Sequence, residues 1–186
     1  MCLRLQNRVG WPRLIGSMVV ATAALMVAFH WIAANYGLGI DPQRHASVRA
    51  YGGGTPRVYL LSYKNREFAR GQIVALPLPP EAREELSGAG FKLPSSVLMK
   101  RVAGLPGEKV RIDTDGVWVR VASGLALAKS LRRPAESFHR TLTLRSDEYL
   151  LLGDTADSFD ARYWGPVPAS AIAGSATILY SERAVP

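Results

Sequence analysis

The sequence predicts a mainly β domain with one short helix, preceded by a single N-terminal transmembrane helix. Three observations carry this reading. A run without Asp, Glu, Lys or Arg extends from Leu14 to Ile40, seven short β-prone runs follow Asp41, and only one segment has the marks of a soluble helix.

The N-terminal element comes first. Arg4, Arg8 and Arg13 precede the uncharged run with no acid among them. As a helix, Leu14 to Ile40 would be about 40 Å long, enough for a hydrocarbon core of roughly 30 Å. A cleavable signal peptide begins in the same way, but its apolar stretch is about 7 to 15 residues; Ala33 and Ala34 supply small residues at which cleavage is conceivable. The arginines point residues 1–13 into the cytoplasm, make residues 14–40 a transmembrane signal anchor, and place 41–186 outside. Trp31 suits the outer lipid boundary, and His30 beside it needs only a structural role.

Asp41 to Thr55, with Gly52, Gly53 and Gly54, reads as an irregular approach. The expected strands are Val58 to Tyr63, Ile73 to Leu78, Val97 to Val102, Val110 to Ile112, Val117 to Val121, Tyr149 to Leu152 and Ala176 to Tyr180. Asp115-Gly116 marks a hairpin turn before the fifth. Pro80 to Leu86 is the helix, with Pro early, Glu81, Glu84 and Glu85 near its start, and Gly88 or Gly90 as its stop.

The chain of 186 residues carries a net charge of +8, which by itself would suit nucleic acid, anionic lipid or acidic substrates. No interleaved aromatic and basic platform accompanies it, and the anchor directs the domain away from the cytoplasm, so nucleic acid is not an expected partner. The single cysteine, Cys2, falls before the span, and His45 and His139 are the remaining histidines of the outer domain. The composition therefore offers no internal disulfide, no recognisable zinc-ligand cluster and no implied cofactor.

Two segments carry chemistry. In Leu98-Met99-Lys100-Arg101-Val102, alternation puts Lys100 on one face with Leu98 and Val102 and Arg101 on the other with Met99, so one basic residue points inward. A desolvated lysine loses basicity and can serve as a neutral general base. The alternative is an edge strand with two solvated basic residues. The second segment, Gly153 to Val167, begins directly after an apolar strand. Ser158, Asp160 and Arg162 are spaced by two, and in extended chain they point one way and form one polar network. A structural turn braced by an Asp–Arg pair is the competing interpretation.

The run Lys100-Arg101-Val102-x-Gly104-Leu105-Pro106-Gly107 resembles the strand that carries the catalytic lysine in the signal peptidase I family. Gly153-Asp154 to Tyr163-Trp164-Gly165 resembles that family's last conserved box, one residue shorter between Gly-Asp and Ser. Arg70-Gly71-Gln72-Ile73-Val74 is similar to a third segment, with Gln72 where Asp is usual. The three occur in the family's order behind an anchor. The resemblance implies a signal peptidase-like β fold and a serine and lysine dyad in which Lys100 activates a serine nucleophile. It further implies that Ser158 orients Lys100, that Gly153 leaves room beside the lysine, and that Asp160 with Arg162 braces the loop.

The nucleophile departs from the family's Ser-Met or Ser-x-Pro pattern. Ser47, seven residues after Ile40, is at most about 23 Å of extended chain from the span. It precedes Lys100 by 53 residues and is the expected nucleophile. Thr55, in Thr55-Pro56-Arg57-Val58-Tyr59, is the alternative; Ser62, Ser95 and Ser96 fit exposed strand or turn positions better. The short outer domain and the Asp-Ser-Phe-Asp-x-Arg-Tyr form of the last box resemble the conjugative-transfer pilin maturation branch. That implies a membrane-bound endopeptidase of the bacterial cytoplasmic membrane. Its partners would be membrane lipid and a pilin or other secreted precursor with an apolar signal helix. The missing Ser-x-Pro leaves a different class open: an inactive, membrane-tethered binding or assembly protein with the same fold.

Overall fold

The computed structural model describes residues 11–41, 48–50, 54–91, 97–118 and 120–182. Cys2, His45, Ser47, Ser95 and Ser96 lie outside them. The chain divides into two units, Met1–Tyr36 and Gly37–Pro186.

In the first unit, α1 runs from Trp11 to Asn35, roughly 37 Å. It is long and apolar enough to cross a membrane. Large side chains such as Leu25, Val27 and Phe29 are exposed on it, so its apolar surface is not accounted for by a protein core. The helix stops short of the expected Ile40, because Tyr36–Ile40 forms strand β1. Two glycines in five residues disfavour helix by about 1 kcal/mol each. Gly39 also lets the strand lie close to Met99, whose side chain an added Cβ would meet at 3.0 Å.

The second unit continues with β2 (Thr55–Ser62), β3 (Ile73–Leu76), α2 (Pro80–Gly88), β4 (Leu98–Gly104) and β5 (Lys109–Asp113). Then come β6 (Gly116–Val117), β7 (Arg120–Ser123), β8 (Arg140–Thr143), β9 (Glu148–Leu152), α3 (Ala161–Trp164), β10 (Val167–Pro168) and β11 (Gly174–Glu182). One sheet has the order β1-β2-β11-β3-β4-β9-β10 and a second the order β7-β6-β5-β8. The mainly β prediction holds, and the helix begins at the expected Pro80. Its end comes with Gly90 in the left-handed region at φ 83°, a conformation that costs glycine little.

The differences are local. Val117 to Val121, expected as one strand, is divided between β6 and β7: Trp118 N–H extends the pairing with β5 by bonding Arg111 O at 3.0 Å, while the β6–β7 pairing shifts register between Gly116 and Val117. Strands β1, β8 and β10 were not anticipated. The run Arg140-Thr141-Leu142-Thr143 has one aliphatic residue, yet pairs along β5 from Ile112 to Lys109, so tertiary pairing outweighs its weak apolar signal.

Strand β4 lies inside the larger sheet between β3 and β9, with Lys100 opposite Val74 and Arg101 opposite Leu152. This position excludes the edge-strand alternative. Three apolar clusters surround it. Phe68, Val74, Leu76, Val102 and Leu151 form one; Val48, Tyr59, Leu61, Ile73 and Met99 form another. Ala103, Val110, Leu144, Leu150 and Tyr163 belong to the third, which joins the two sheets.

Candidate active site

The turn after β4 shows why its sequence is so specific. A Cβ on Gly104 would come within 2.9 Å of both Leu144 and Leu150, so a side chain there would disturb the join between the sheets. Gly107 has φ 82°, which favours glycine. Glu108 accepts from Leu105 N–H at 2.7 Å and forms an ion pair with Arg70, whose guanidinium also donates to Ala103 O. Gln72, in place of the more usual Asp, still supplies a side-chain oxygen: it accepts from Ala69 N–H at 3.0 Å. The Arg70 segment and the strand carrying Lys100 are thus one folded unit.

Lys100 is the inward residue of its pair and is only 2% exposed. Its Nζ donates to Ser158 Oγ at 2.8 Å, a contact wholly inside the protein. Burial lowers its pKa to about 8, opposed by the Asp160 carboxylate and helped by the Arg162 guanidinium; Asp41 and Asp154 also favour the charged form. Continuing the pairing of Arg101 with Leu152 by one residue brings Gly153 opposite Lys100.

Asp160 and Arg162 form a fully buried ion pair, with Arg162 Nη2 2.8 Å from Asp160 Oδ2 and Nε 2.9 Å from Oδ1. Their meeting does not come from extended chain, as the spacing suggested. Asp160 is the N-cap of α3 and accepts from Arg162 N–H at 3.1 Å, so the turn folds the two side chains together. Asp160 also accepts from Gly153 N–H at 2.8 Å. The remaining Arg162 donors reach the carbonyls of Gly124, Thr155 and Ser158 at 2.9, 3.1 and 3.1 Å. A structural brace and a polar network around Ser158 are therefore the same object. Tyr163 and Trp164 close it by packing on Phe159, and Gly165 at φ 93° ends the turn.

Arg101 takes the other side of β4. It grips Asp154 through Nε and Nη2, at 3.0 and 2.7 Å, and donates to Gly71 O and Arg49 O. Asp154 in turn accepts from Arg49 N–H at 3.0 Å. This three-way contact was not assigned from the sequence; the signal available was an Arg directly after the inward lysine and an Asp directly after Gly153.

The Thr55 hydroxyl accepts from Arg49 Nη1 at 3.3 Å. A guanidinium stays protonated and cannot act as its base. Ser62 pairs with Ser175 near the other end of β2. Among the described residues, no group of His, Cys, Asp and Glu is arranged to hold a metal ion.

A buried lysine of lowered basicity, oriented by a serine hydroxyl and backed by a neutralised polar loop, can take a proton from an incoming alcohol. Known proteins resemble this chain. "Probable signal peptidase I-2" of Synechocystis sp. is 32% identical over 122 residues, 64% of this chain and 51% of its own. "Signal peptidase I" of Leptolyngbya laminosa is 29% identical over 64% of this chain and 56% of its own. "Plasmid transfer protein TraF" of Escherichia coli is 40% identical over 81 residues, 40% of this chain and 46% of its own. The chain spans about half the length of these curated relatives. A solved signal peptidase I from Enterococcus faecalis aligns with 60% of this chain and 97% of its own at 24% identity and a TM-score of 0.35; the family assignment rests on sequence, not on this superposition. The family model described as "Signal peptidase, peptidase S26" matches residues 13–181, nearly the whole chain, and the protein belongs to that family.

Proposed function

We propose that the protein is a membrane-bound serine endopeptidase that removes signal sequences from exported precursors, with Ser47 as nucleophile and Lys100 as general base. The observation that supports this most is the buried Lys100 amine, 2.8 Å from Ser158 Oγ with its pKa lowered to about 8. Lys100 Nζ, neutral, takes the Ser47 hydroxyl proton while Oγ attacks the scissile carbonyl carbon. The C–N bond breaks, the departing amine takes the proton back, and an acyl ester remains on Ser47. Water, deprotonated by Lys100 Nζ, then attacks the ester carbonyl carbon; the C–Oγ bond breaks, Ser47 Oγ takes the proton back from Nζ, and the new carboxyl terminus leaves. Ser158 holds Nζ in place throughout; Asp160 and Arg162 hold Ser158.

Helix α1, which overlaps the expected signal anchor of residues 14–40 from Leu14 to Asn35, serves as the anchor. Residues 1–13 are cytoplasmic, 41–186 form the extracytoplasmic peptidase domain, and the bacterial cytoplasmic membrane is the location. A pilin-type precursor is the first substrate to test, because a plasmid transfer protein is among the relatives and the last box has the form Asp157-Ser158-Phe159-Asp160-Ala161-Arg162-Tyr163. The inactive-scaffold alternative gains no support from the comparisons.

The test is precursor cleavage in membranes by the native chain, Ser47→Ala, Thr55→Ala and Lys100→Ala. Ser47→Ala and Lys100→Ala should lose cleavage, the latter by roughly 10²–10⁴-fold or more, and Thr55→Ala should retain it. Undiminished cleavage by Lys100→Ala would overturn the mechanism; retention in Ser47→Ala with loss in Thr55→Ala would transfer the nucleophile.

A further inference from the structure

We propose that Asp154 and Arg101 form a positioning clamp on the Arg49 backbone, fixing the hydroxyl-bearing segment of the chain against the strand that carries Lys100. The clamp is bidirectional. Asp154 Oδ2 accepts from Arg49 N–H at 3.0 Å, and Arg101 Nη2 donates to Arg49 O at 3.2 Å. Both polar groups of one peptide residue are therefore held by two side chains that are themselves ion-paired at 2.7 Å.

The partners are well placed for this. Arg101 adjoins Lys100 in β4, and Asp154 adjoins Gly153, the residue opposite Lys100 in the continued register. The preceding residue, Val48, is completely buried with Tyr59, Leu61 and Met99. Burial of Val48 fixes the segment laterally, and the clamp fixes its register. The Cα of Ser47 is at most about 7.6 Å from that of Arg49, two trans peptide units away. A rigid hold on Arg49 therefore limits where the Ser47 hydroxyl can go, and misplacement by about 1 Å can cost on the order of 10²-fold in rate.

The inference rests on Ser47 as nucleophile, and it differs from a purely electrostatic role for Asp154. That carboxylate also favours the charged form of Lys100. If charge were its only action, removing it would lower the Lys100 pKa further, move the rate profile to lower pH and leave the plateau unchanged. A positioning role instead lowers the plateau kcat at every pH.

The experiment uses the full chain in membranes and a pilin-type precursor, with kcat and KM measured from pH 6 to 9.5 for the native protein, Asp154→Ala and Asp154→Asn, and a thermal melt of each. Asp154→Ala should lower plateau kcat about 10- to 100-fold, with KM within about twofold, whatever downward shift of the midpoint accompanies the loss of its charge. Asp154→Asn keeps an oxygen for Arg49 N–H but loses the ion pair. It should fall between the two, and it carries the test alone if the alanine variant fails to melt cooperatively. An unchanged plateau in the folded variants, or a downward shift of midpoint alone, overturns the clamp. Cleavage retained by Ser47→Ala in the same assay instead defeats the assignment of the nucleophile, a separate result.

Discussion

Two arginine–aspartate pairs flank Lys100, and the contrast between them shows how the same two side chains can do different work. Arg162 and Asp160 are two residues apart, have side chains with no exposed surface, and use most of their hydrogen bonds within the loop from Gly153 to Arg162. Arg101 and Asp154 are 23% and 11% exposed and join three distant stretches of chain, the Arg49 segment, β4 and the loop after β9. The inner pair shapes the environment of Lys100; the outer pair ties chain segments together. Burial decides the division: a charge without solvent must be satisfied nearby, whereas a partly wet pair can be spent on linking.

The largest test of this contrast is removal of one partner from the inner pair. Asp160→Ala would leave the Arg162 guanidinium buried without its carboxylate and Gly153 N–H without its acceptor. Breaking a buried pair in this way costs about 3–5 kcal/mol, a large share of a stability of roughly 5–15 kcal/mol. A denaturant titration should show the midpoint falling steeply. The equivalent change in the outer pair, Asp154→Ala, should cost less stability. If the two losses were equal, the division between them would be wrong.

The next test concerns the burial of Lys100 beside the inner pair, which lowers the basicity of its amine against the opposing Asp160 carboxylate. In the proposed mechanism its amine must be neutral to act as a base, so kcat/KM should rise about tenfold per pH unit below a midpoint near 8 and level above it. Stability should respond too. The folded-state pKa lies below the ordinary value of 10.5, so the unfolded chain binds the proton more tightly. The penalty is fully present below about pH 8 and fades as pH rises toward 10.5. Lys100→Met, which removes the amine, should abolish cleavage yet raise Tm at pH 7, with a smaller gain at pH 10. A profile already flat at pH 6 would mean that burial does not lower this amine's basicity.

How much of this was legible beforehand follows the range of the interactions. Inward placement of Lys100 could be read as one of two options because strand alternation is local, and pairing on both sides of β4 then selects it. The helix from Pro80 carried its own start and stop signals. The meeting of Ser158 with Lys100 spans 58 residues and was available only through resemblance. Asp160 and Arg162 were correctly associated for an incorrect reason, since spacing by two was read as strand while a helix cap actually joins them. The grip of Asp154 and Arg101 on Arg49 was invisible, because backbone groups carry no sequence signature and their partners lie 52 and 105 residues away.

A smaller change probes the fork geometry of the outer pair. Arg101→Lys keeps the charge but cannot hold Asp154, Gly71 O and Arg49 O together as a planar guanidinium does. Cleavage should fall several-fold, while Tm changes by only a few degrees. A lysine as effective as arginine would show that charge alone suffices, removing the reason to treat the pair as a linker.

The smallest expected effect sets the baseline for both pairs. Arg145 and Glu148 lie 2.8 Å apart, with the arginine side chain 73% exposed, and Glu148 independently accepts from Arg145 N–H at 2.9 Å. Arg145→Ala removes only a solvated, screened attraction and leaves that backbone contact intact, so the cost should be well under about 1 kcal/mol, with cleavage unaffected. A loss comparable to that of Arg101→Lys would mean that general surface charge, rather than the grip on Arg49, explains the outer pair's effect. Near-neutrality would leave location and backbone partners as what separates the three ion pairs.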